Sequence, residues 1–189
     1  MIRADYTDKD RVVNILVNSF ADNKSVNYII KQDKKKPQRL LSLMEYSFDI
    51  CYLFGDIFLS DDKKACALIV LPEKKKTTLK SIILDARMVI SCMGFRDIKK
   101  VIRREAEITQ NHPKRLIYYL WFIGVETNDQ GNGIGSKLLE EVIQEGLSRN
   151  RPIYLETSTV KNIPWYERFG FTIYKELDFG YKLFCLKRE

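Results

Sequence analysis

The chain has 189 residues, 45% of them hydrophobic, and its 32 Lys and Arg against 25 Asp and Glu give a net charge of +7. This size fits a single domain over 1–189, and no segment approaches the roughly 18–20 uncharged apolar residues of a membrane span, so a cytoplasmic protein without a membrane partner is expected. The charge favours an anionic ligand or nucleic acid without requiring either, and four scattered cysteines with one histidine predict no metal site.

Two helices are predicted in the first third of the chain. Thr7 and Asp10 form a capping-box-like start for the first, whose apolar residues recur at helical spacing up to about Ala21. The second follows Pro37 and ends before Gly55.

A β-hairpin and a helical insert follow. Residues 57–59 and 65–71 are separated by a polar turn, which predicts a hairpin. From 77 to 107 the spacing is helical again on both sides of Gly94, beginning with Leu79, Ile82, Ile83, Ala86 and Ile90. We expect this insert to cover a substrate pocket.

The C-terminal half begins with an almost unbroken apolar segment, 116–125, which predicts a central strand buried on both faces. The remaining predicted elements are a helix at 133–149, a strand at 152–157, a helix at 162–169 and an antiparallel pair at 171–177 and 181–186.

A glycine-rich turn, Gln130-Gly131-Asn132-Gly133-Ile134-Gly135-Ser136, joins the central strand to the next helix. Its three glycines remove side chains where a ligand can approach the main chain, and a helix N-terminus offers unpaired N–H groups. This arrangement predicts an anion site suited to phosphates. It matches neither the P-loop nor the dinucleotide fingerprint.

The turn resembles the pyrophosphate-binding motif Gln-x-x-Gly-x-Gly of the GNAT superfamily of acyl-CoA N-acyltransferases. Asn162, Tyr166 and Gly170-Phe171 are similar to a second motif of that family. The resemblance implies an α/β (α+β) fold with a mostly antiparallel sheet, flanked by helices and splayed into a V between strands 116–125 and 152–158. The N-terminal half loosely resembles the puromycin-acetyltransferase-like branch.

The resemblance also implies that the two halves of the domain bind different substrates. The half at about 1–115 would lie on the acceptor side, and the half at about 116–186 would bind acetyl-CoA. Main-chain groups of the central strand would pair with pantetheine, and amides of the turn would hold the pyrophosphate. Asn162 would bond the pantetheine and also suits a helix N-cap. The implied cofactor-binding residues are Ile123, Val125, Gln130, Gly131, Asn132, Gly133, Ile134, Gly135, Ser136 and Asn162.

Two catalytic residues are expected. By resemblance Tyr166 is the general acid that protonates the departing thiolate. Where some protein-acetylating members carry a glutamate base, this sequence has Tyr119, so Glu156 is the first substitute and Glu126 the second, with water as a further route for the proton.

The expected function is N-acetyl transfer from acetyl-CoA to a small-molecule primary amine by direct attack in a ternary complex. One alternative acceptor is aminoacyl-tRNA or a protein terminus, with Lys99, Lys100, Arg103 and Arg104 along one side of a helix as a phosphate-binding patch. Another alternative is an inactive CoA-binding regulatory module. Nucleic acid is not the favoured partner, and a homodimer is possible.

Overall fold

The computed structural model describes residues 1–94 and 97–189. The helices are α1 (Lys9–Phe20), α2 (Lys24–Ile29), α3 (Lys36–Phe54), α4 (Leu79–Cys92), α5 (Ile98–Gln110), α6 (Ile134–Ser148) and α7 (Ile163–Arg168). The strands are β1 (Ile2–Arg3), β2 (Gly55–Leu59), β3 (Ala65–Val70), β4 (Tyr118–Val125), β5 (Ile153–Thr157), β6 (Thr172–Asp178) and β7 (Lys182–Arg188).

The strands form one sheet in the order β1-β2-β3-β4-β5-β7-β6, antiparallel except for the parallel pair β4 and β5. Helices α1 and α3 cover one face with residues such as Leu16 and Phe48, and α6 covers the other with Leu138 and Val142. The predicted fold class, a mixed and mostly antiparallel sheet flanked by helices, is confirmed.

Strands β4 and β5 separate soon after they meet. Within the described residues they pair at Tyr118 with Ile153 and at Tyr119 with Tyr154, while β4 continues beside β3 to Val125. This is the predicted V-shaped splay. It also corrects the expectation that β4 is buried on both faces, because alternate residues of β4 are only half-buried where β5 has moved away.

A β-bulge in β4 lies next to the point where β4 and β5 separate. Leu68 pairs with Phe122 and Ile69 with Leu120, so Trp121 is an extra residue in β4. Bulges bend a strand and change which side chains share a face. After the bulge, Ile123 and Val125 lie against the core on the α6 side of the sheet.

The N-terminal segment differs from the sequence prediction in two ways. The capping box is formed by Asp5 and Asp8 rather than Thr7 and Asp10, because a short 3-10 turn precedes α1 and moves the cap to its own start. The short helix α2 was not predicted. Its N-cap is Asn23, whose side chain accepts a hydrogen bond from the Val26 N–H at 3.1 Å.

Candidate active site

The diverging strands leave an open cleft of about 600 Å³, bordered by β4 and by the start of α6. Glu126 donates its N–H to the Lys64 carbonyl beside β3, so alternation along the strand directs the main-chain groups of Ile123 and Val125 toward the cleft. Ser19 of α1 donates its hydroxyl to the Val125 carbonyl at 2.8 Å. The strand edge predicted to pair with pantetheine therefore faces the cleft, with one carbonyl already engaged.

The glycine-rich turn presents main chain to the same cleft. Gly131 and Gly133 have φ of +84° and +82°, a left-handed conformation that other residues rarely adopt. A Cβ at either position would meet nothing within 4 Å, whereas one at Gly135 would lie 3.0 Å from Val125 Cγ2. Glycine thus leaves open space at two positions and allows close packing of α6 on β4 at the third.

The first turn of α6 supplies hydrogen-bond donors. Lys137 is bonded through its N–H to the Gly133 carbonyl, so the N–H groups of the residues between them precede the first intrahelical bond. Those donors and the positive end of the helix dipole border the cleft, an arrangement that suits an anionic ligand.

Helix α7 borders the cleft from the opposite side. Trp165 donates its indole N–H to Ser136 Oγ at 2.9 Å, which joins the helix to the start of α6. Asn162 occupies the N-cap position of α7, but within the described residues its side chain forms no capping bond. Asn162 lines the cleft, and Lys161 and Arg168 add positive charge beside it.

A second cavity, of about 90 Å³, lies between β4, β5, α2 and α5. It meets the cleft at Ile123, Asn162 and Tyr166, which line both. Apolar side chains form much of its wall, and Arg104, Glu105 and Glu156 supply its charges. The apolar residues are Phe20, Val26, Ile29, Leu120, Trp121, Phe122, Ile123 and Leu155.

Glu156 is held at the wall of this second cavity by two side chains. Tyr119 donates its hydroxyl to Oε2 at 2.6 Å, and His112 Nε2 lies 3.0 Å from Oε1. Burial, with the Glu156 charge beside it, raises the pKa of Tyr119 well above its usual value, so the phenol stays a donor. Although only 7% of the Glu156 side chain is exposed, both of its oxygens have partners.

Tyr166 lies where the two cavities join. Its residue is 5% exposed, and its ring packs against Trp165 and Phe171 with centroids 4.7 and 5.6 Å away. Burial raises the pKa of Tyr166, so the hydroxyl holds its proton at neutral pH. The ring is therefore held by its neighbours, and the hydroxyl is protonated.

Comparisons with known proteins agree with this geometry. The family model of the acetyltransferase (GNAT) domain matches residues 83–173, a range that contains β4, the glycine turn and α7. The matched segment, just under half of the chain, is a GNAT acetyltransferase domain by this comparison. The predicted family and the acyltransferase class of enzyme are thereby confirmed.

A relative in Schizosaccharomyces pombe, an uncharacterized N-acetyltransferase, is 47% identical over 58 residues, which are 29% of this chain and 22% of that protein. Two solved structures are similar over nearly the whole chain. A histone acetyltransferase HPA2 and related acetyltransferase from Corynebacterium glutamicum has a TM-score of 0.71 at 20% identity, covering 99% of this chain and 93% of its own. Arylalkylamine N-acetyltransferase 2 from Aedes aegypti has a TM-score of 0.68 at 14% identity, covering 100% and 96%. At these identities the two structures show the fold alone.

The GNAT domain brings most of the predicted site residues together. Those that line the cleft are Ile123, Val125, Gln130, Gly131, Gly133, Gly135, Ser136, Asn162 and Tyr166. Asn132 is exposed on the turn, and Ile134 packs against the core below it. Glu156 lines the second cavity, while Glu126 lies 4.0 Å from Arg11 and, in the described part of the chain, lines neither cavity.

Sequence reasoning missed several residues of the second cavity. Arg104 was expected on one side of α5 with three other basic residues, but it is 6% exposed and points into the domain. It donates to Tyr181 at 2.8 Å and also to Ser25 and Glu105. The expected phosphate-binding patch on α5 is therefore reduced to Lys99, Lys100 and Arg103, because Arg104 belongs to the cavity.

The contact of His112 with Glu156 was also missed. The histidine directly precedes Pro113, and the sequence assigned it no role in the site. The structure places it against β4 and β5, with its ring centroid 4.8 Å from that of Tyr119. No local pattern signals a contact between residues 44 positions apart.

Proposed function

We propose that this chain moves an acetyl group from acetyl-CoA to a small-molecule primary amine by direct attack in a ternary complex. The observation that carries this proposal is the junction of two cavities at Tyr166, with a helix N-terminus at the far end of one and the Glu156 carboxylate in the other. Residues 1–115 would contribute the acceptor side and 116–186 the cofactor side of one domain over 1–189.

Members of the GNAT fold use acetyl-CoA, and the residues of the cleft suit that molecule. The left-handed glycines leave room for a pyrophosphate at the main-chain donors of α6. The β4 edge at Ile123 offers an amide arm the same pairing that a neighbouring strand would. The thioester supplies an activated acetyl group, and Asn162 is placed to orient the arm that leads to Tyr166.

The second cavity favours a small amine with an apolar body. Its volume is about 90 Å³, aromatic and aliphatic side chains form about half of its wall, and Glu156 can accept a hydrogen bond from an ammonium group. An arylalkylamine N-acetyltransferase among the structural neighbours supports this class of acceptor. Aminoacyl-tRNA and a protein terminus remain alternatives, with the exposed residues Lys99, Lys100 and Arg103 as their contact.

An alkylammonium must lose a proton before its nitrogen can attack. With a pKa near 10.4, deprotonation at pH 7 costs about 4–5 kcal/mol. Glu156 would take this proton, while Tyr119 and His112 hold the carboxylate in place. The free amine would then form the carbon–nitrogen bond, and Tyr166 would donate its proton to the sulfur as the carbon–sulfur bond breaks. The second proton of the nitrogen would return to the Tyr166 oxygen, and Glu156 would release its proton to solvent.

The experiment that tests this function is an acetyl-CoA turnover screen against an amine library that includes aminoacyl-tRNA and peptides. We expect turnover with small apolar amines. Salt-sensitive turnover of aminoacyl-tRNA alone would favour the nucleic-acid alternative, and CoA binding without turnover of any acceptor would favour the inactive module.

Replacing Gly133 by Glu is expected to weaken CoA binding about 100-fold, because a carboxylate would face the pyrophosphate in a space that is open beside the glycine. Isothermal titration with CoA measures this. Gly180→Glu is the matched control, since Gly180 has φ of +81°, equally open surroundings and a position in the β6–β7 turn. Both variants carry a left-handed strain of about 1–2 kcal/mol. Equal CoA affinity in the two would remove the anion site from the turn.

Replacing Glu105 by Ala on α5 is expected to raise the acceptor KM about tenfold and to change the acetyl-CoA KM by less than about twofold. Glu105 lines the second cavity and bonds Arg104, so its loss alters the acceptor side alone. Lys99→Ala, at an exposed position on the same helix, is the control. A change confined to the acetyl-CoA KM would contradict the role assigned to the 77–107 insert, of which residues 95 and 96 lie outside the described part.

A further inference from the structure

Helix α4 is apolar on two opposite faces. One face, which includes Leu84, Met88 and Cys92, packs into the core. The other consists of Leu79, Ile82, Ile83 and Ile90, whose exposed fractions are 77%, 52%, 51% and 70%. At about 100° per residue these four positions fall on one narrow stripe along the helix, opposite the buried face.

The exposed stripe consists of apolar residues whose pattern is already visible in the sequence. The spacing of Leu79, Ile82, Ile83, Ala86 and Ile90 predicted the helix, and such spacing usually marks the inward face. Here the core contact is made by the opposite side. Single exposed apolar residues need no explanation, but a continuous stripe of large aliphatic side chains marks a surface that binds something.

Basic residues lie before this stripe and along one of its edges. Lys74, Lys75 and Lys76 are exposed just before α4, and Lys80 and Arg87 are exposed along one edge of the stripe. The neighbouring acidic groups have partners of their own. Asp85 accepts a hydrogen bond from Tyr46 at 2.7 Å, and Glu73 pairs with Arg151 at 2.7 Å. The surface formed by 74–76 and the exposed face of α4, here called the α4 surface, therefore has a positive charge.

We infer that the α4 surface docks on an anionic membrane surface, with its leucine and isoleucine side chains in the interface and its lysines at the lipid headgroups. An amphipathic helix that lies in the interface requires this combination of an apolar stripe with a basic edge, and it requires no membrane span. Within the described residues no helix is long and apolar enough to cross a membrane. The expectation of no membrane partner considered spanning segments alone.

Other occupants fit the α4 surface less well. A nucleic acid would pair with the lysines but leave the isoleucine stripe in contact with charged phosphates. A second copy in an antiparallel two-fold arrangement would bring the Lys80 and Arg87 edges together, and like charges at an interface are unfavourable. A lipid surface satisfies both the apolar and the charged parts at once.

Vesicle co-sedimentation of the full chain tests the inference. Vesicles of phosphatidylcholine alone are compared with vesicles that also contain phosphatidylserine. We expect binding to the second kind only, and weaker binding as salt is added. The triple variant Lys74→Gln/Lys75→Gln/Lys76→Gln should lower the partition coefficient about 100-fold. The double variant Ile82→Ser/Ile83→Ser should lower it at least about tenfold.

Leu147→Ser is the control for loss of an exposed apolar side chain, because Leu147 lies on α6, on the other side of the sheet. Unchanged CoA affinity in each variant shows that it is folded. Equal binding to both kinds of vesicle, or binding to neither, would overturn the inference. A dimer in light scattering that Ile82→Ser/Ile83→Ser disperses would assign the α4 surface to a second copy instead.

Discussion

Replacing Tyr166 by Phe is expected to lower kcat by about 10²–10⁴-fold and to leave CoA affinity nearly unchanged. The substitution removes one hydroxyl at the junction of the two cavities and keeps the ring that packs against Trp165 and Phe171. General acid assistance to the leaving thiolate is therefore lost while the shape of the site is kept. Steady-state kinetics together with a CoA titration measure the two quantities separately.

The protonation state of Tyr166 adds a pH signature. Burial raises the pKa of this phenol above its ordinary value near 10, so the acid stays protonated through the range in which the amine acceptor becomes a free base. The rate should consequently show no decline from loss of this proton below about pH 10. If the rate instead declines near pH 8, and this decline disappears in Tyr166→Phe, then the Tyr166 hydroxyl does not have the raised pKa that its burial implies.

Tyr118→Phe is the matched control for this prediction. Tyr118 is also a buried tyrosine, on β4, and its hydroxyl lies 3.5 Å from Asp56 rather than at a cavity. The control should keep the parent kcat. If Tyr166→Phe also stays within about threefold of the parent while chemistry limits the rate, Tyr166 is a packing residue.

The cofactor half of the site could be predicted from sequence because its parts are adjacent in the chain. A strand, a glycine turn and a helix start follow one another from 118 to 136, and local residue preferences govern each of them. The left-handed φ of Gly131 and Gly133 shows why glycine is required there. Whether these residues bind CoA stays a prediction.

The acceptor half depends on contacts between distant segments, which local patterns do not encode. Glu156 meets His112 and Tyr119 only because β4 and β5 are neighbours in the sheet. Periodicity likewise shows that residues share one face of a helix but not which face is inward. For that reason Arg104 was placed on a surface patch, and the apolar spacing in 79–90 predicted a helix without showing that this stripe is exposed.

Replacing Glu156 by Gln is expected to lower kcat/KM for the amine by about 10²–10⁴-fold at pH 7. Glutamine keeps the size of the side chain and can still accept a hydrogen bond from Tyr119, but it cannot take a proton from an ammonium group.

The pH dependence of the rate distinguishes the loss of a general base from a change in the shape of the site. Without Glu156 the amine must lose its proton to solvent, so the rate of the variant should rise about tenfold per pH unit until the amine's own pKa near 10.4. Glu126→Gln is the control, because Glu126 lies beside Arg11 instead of the second cavity, and it should match the parent. If Glu156→Gln keeps the parent's rate and pH profile, Glu156 is only a structural partner of His112 and Tyr119, and water carries the proton from the amine to bulk solvent.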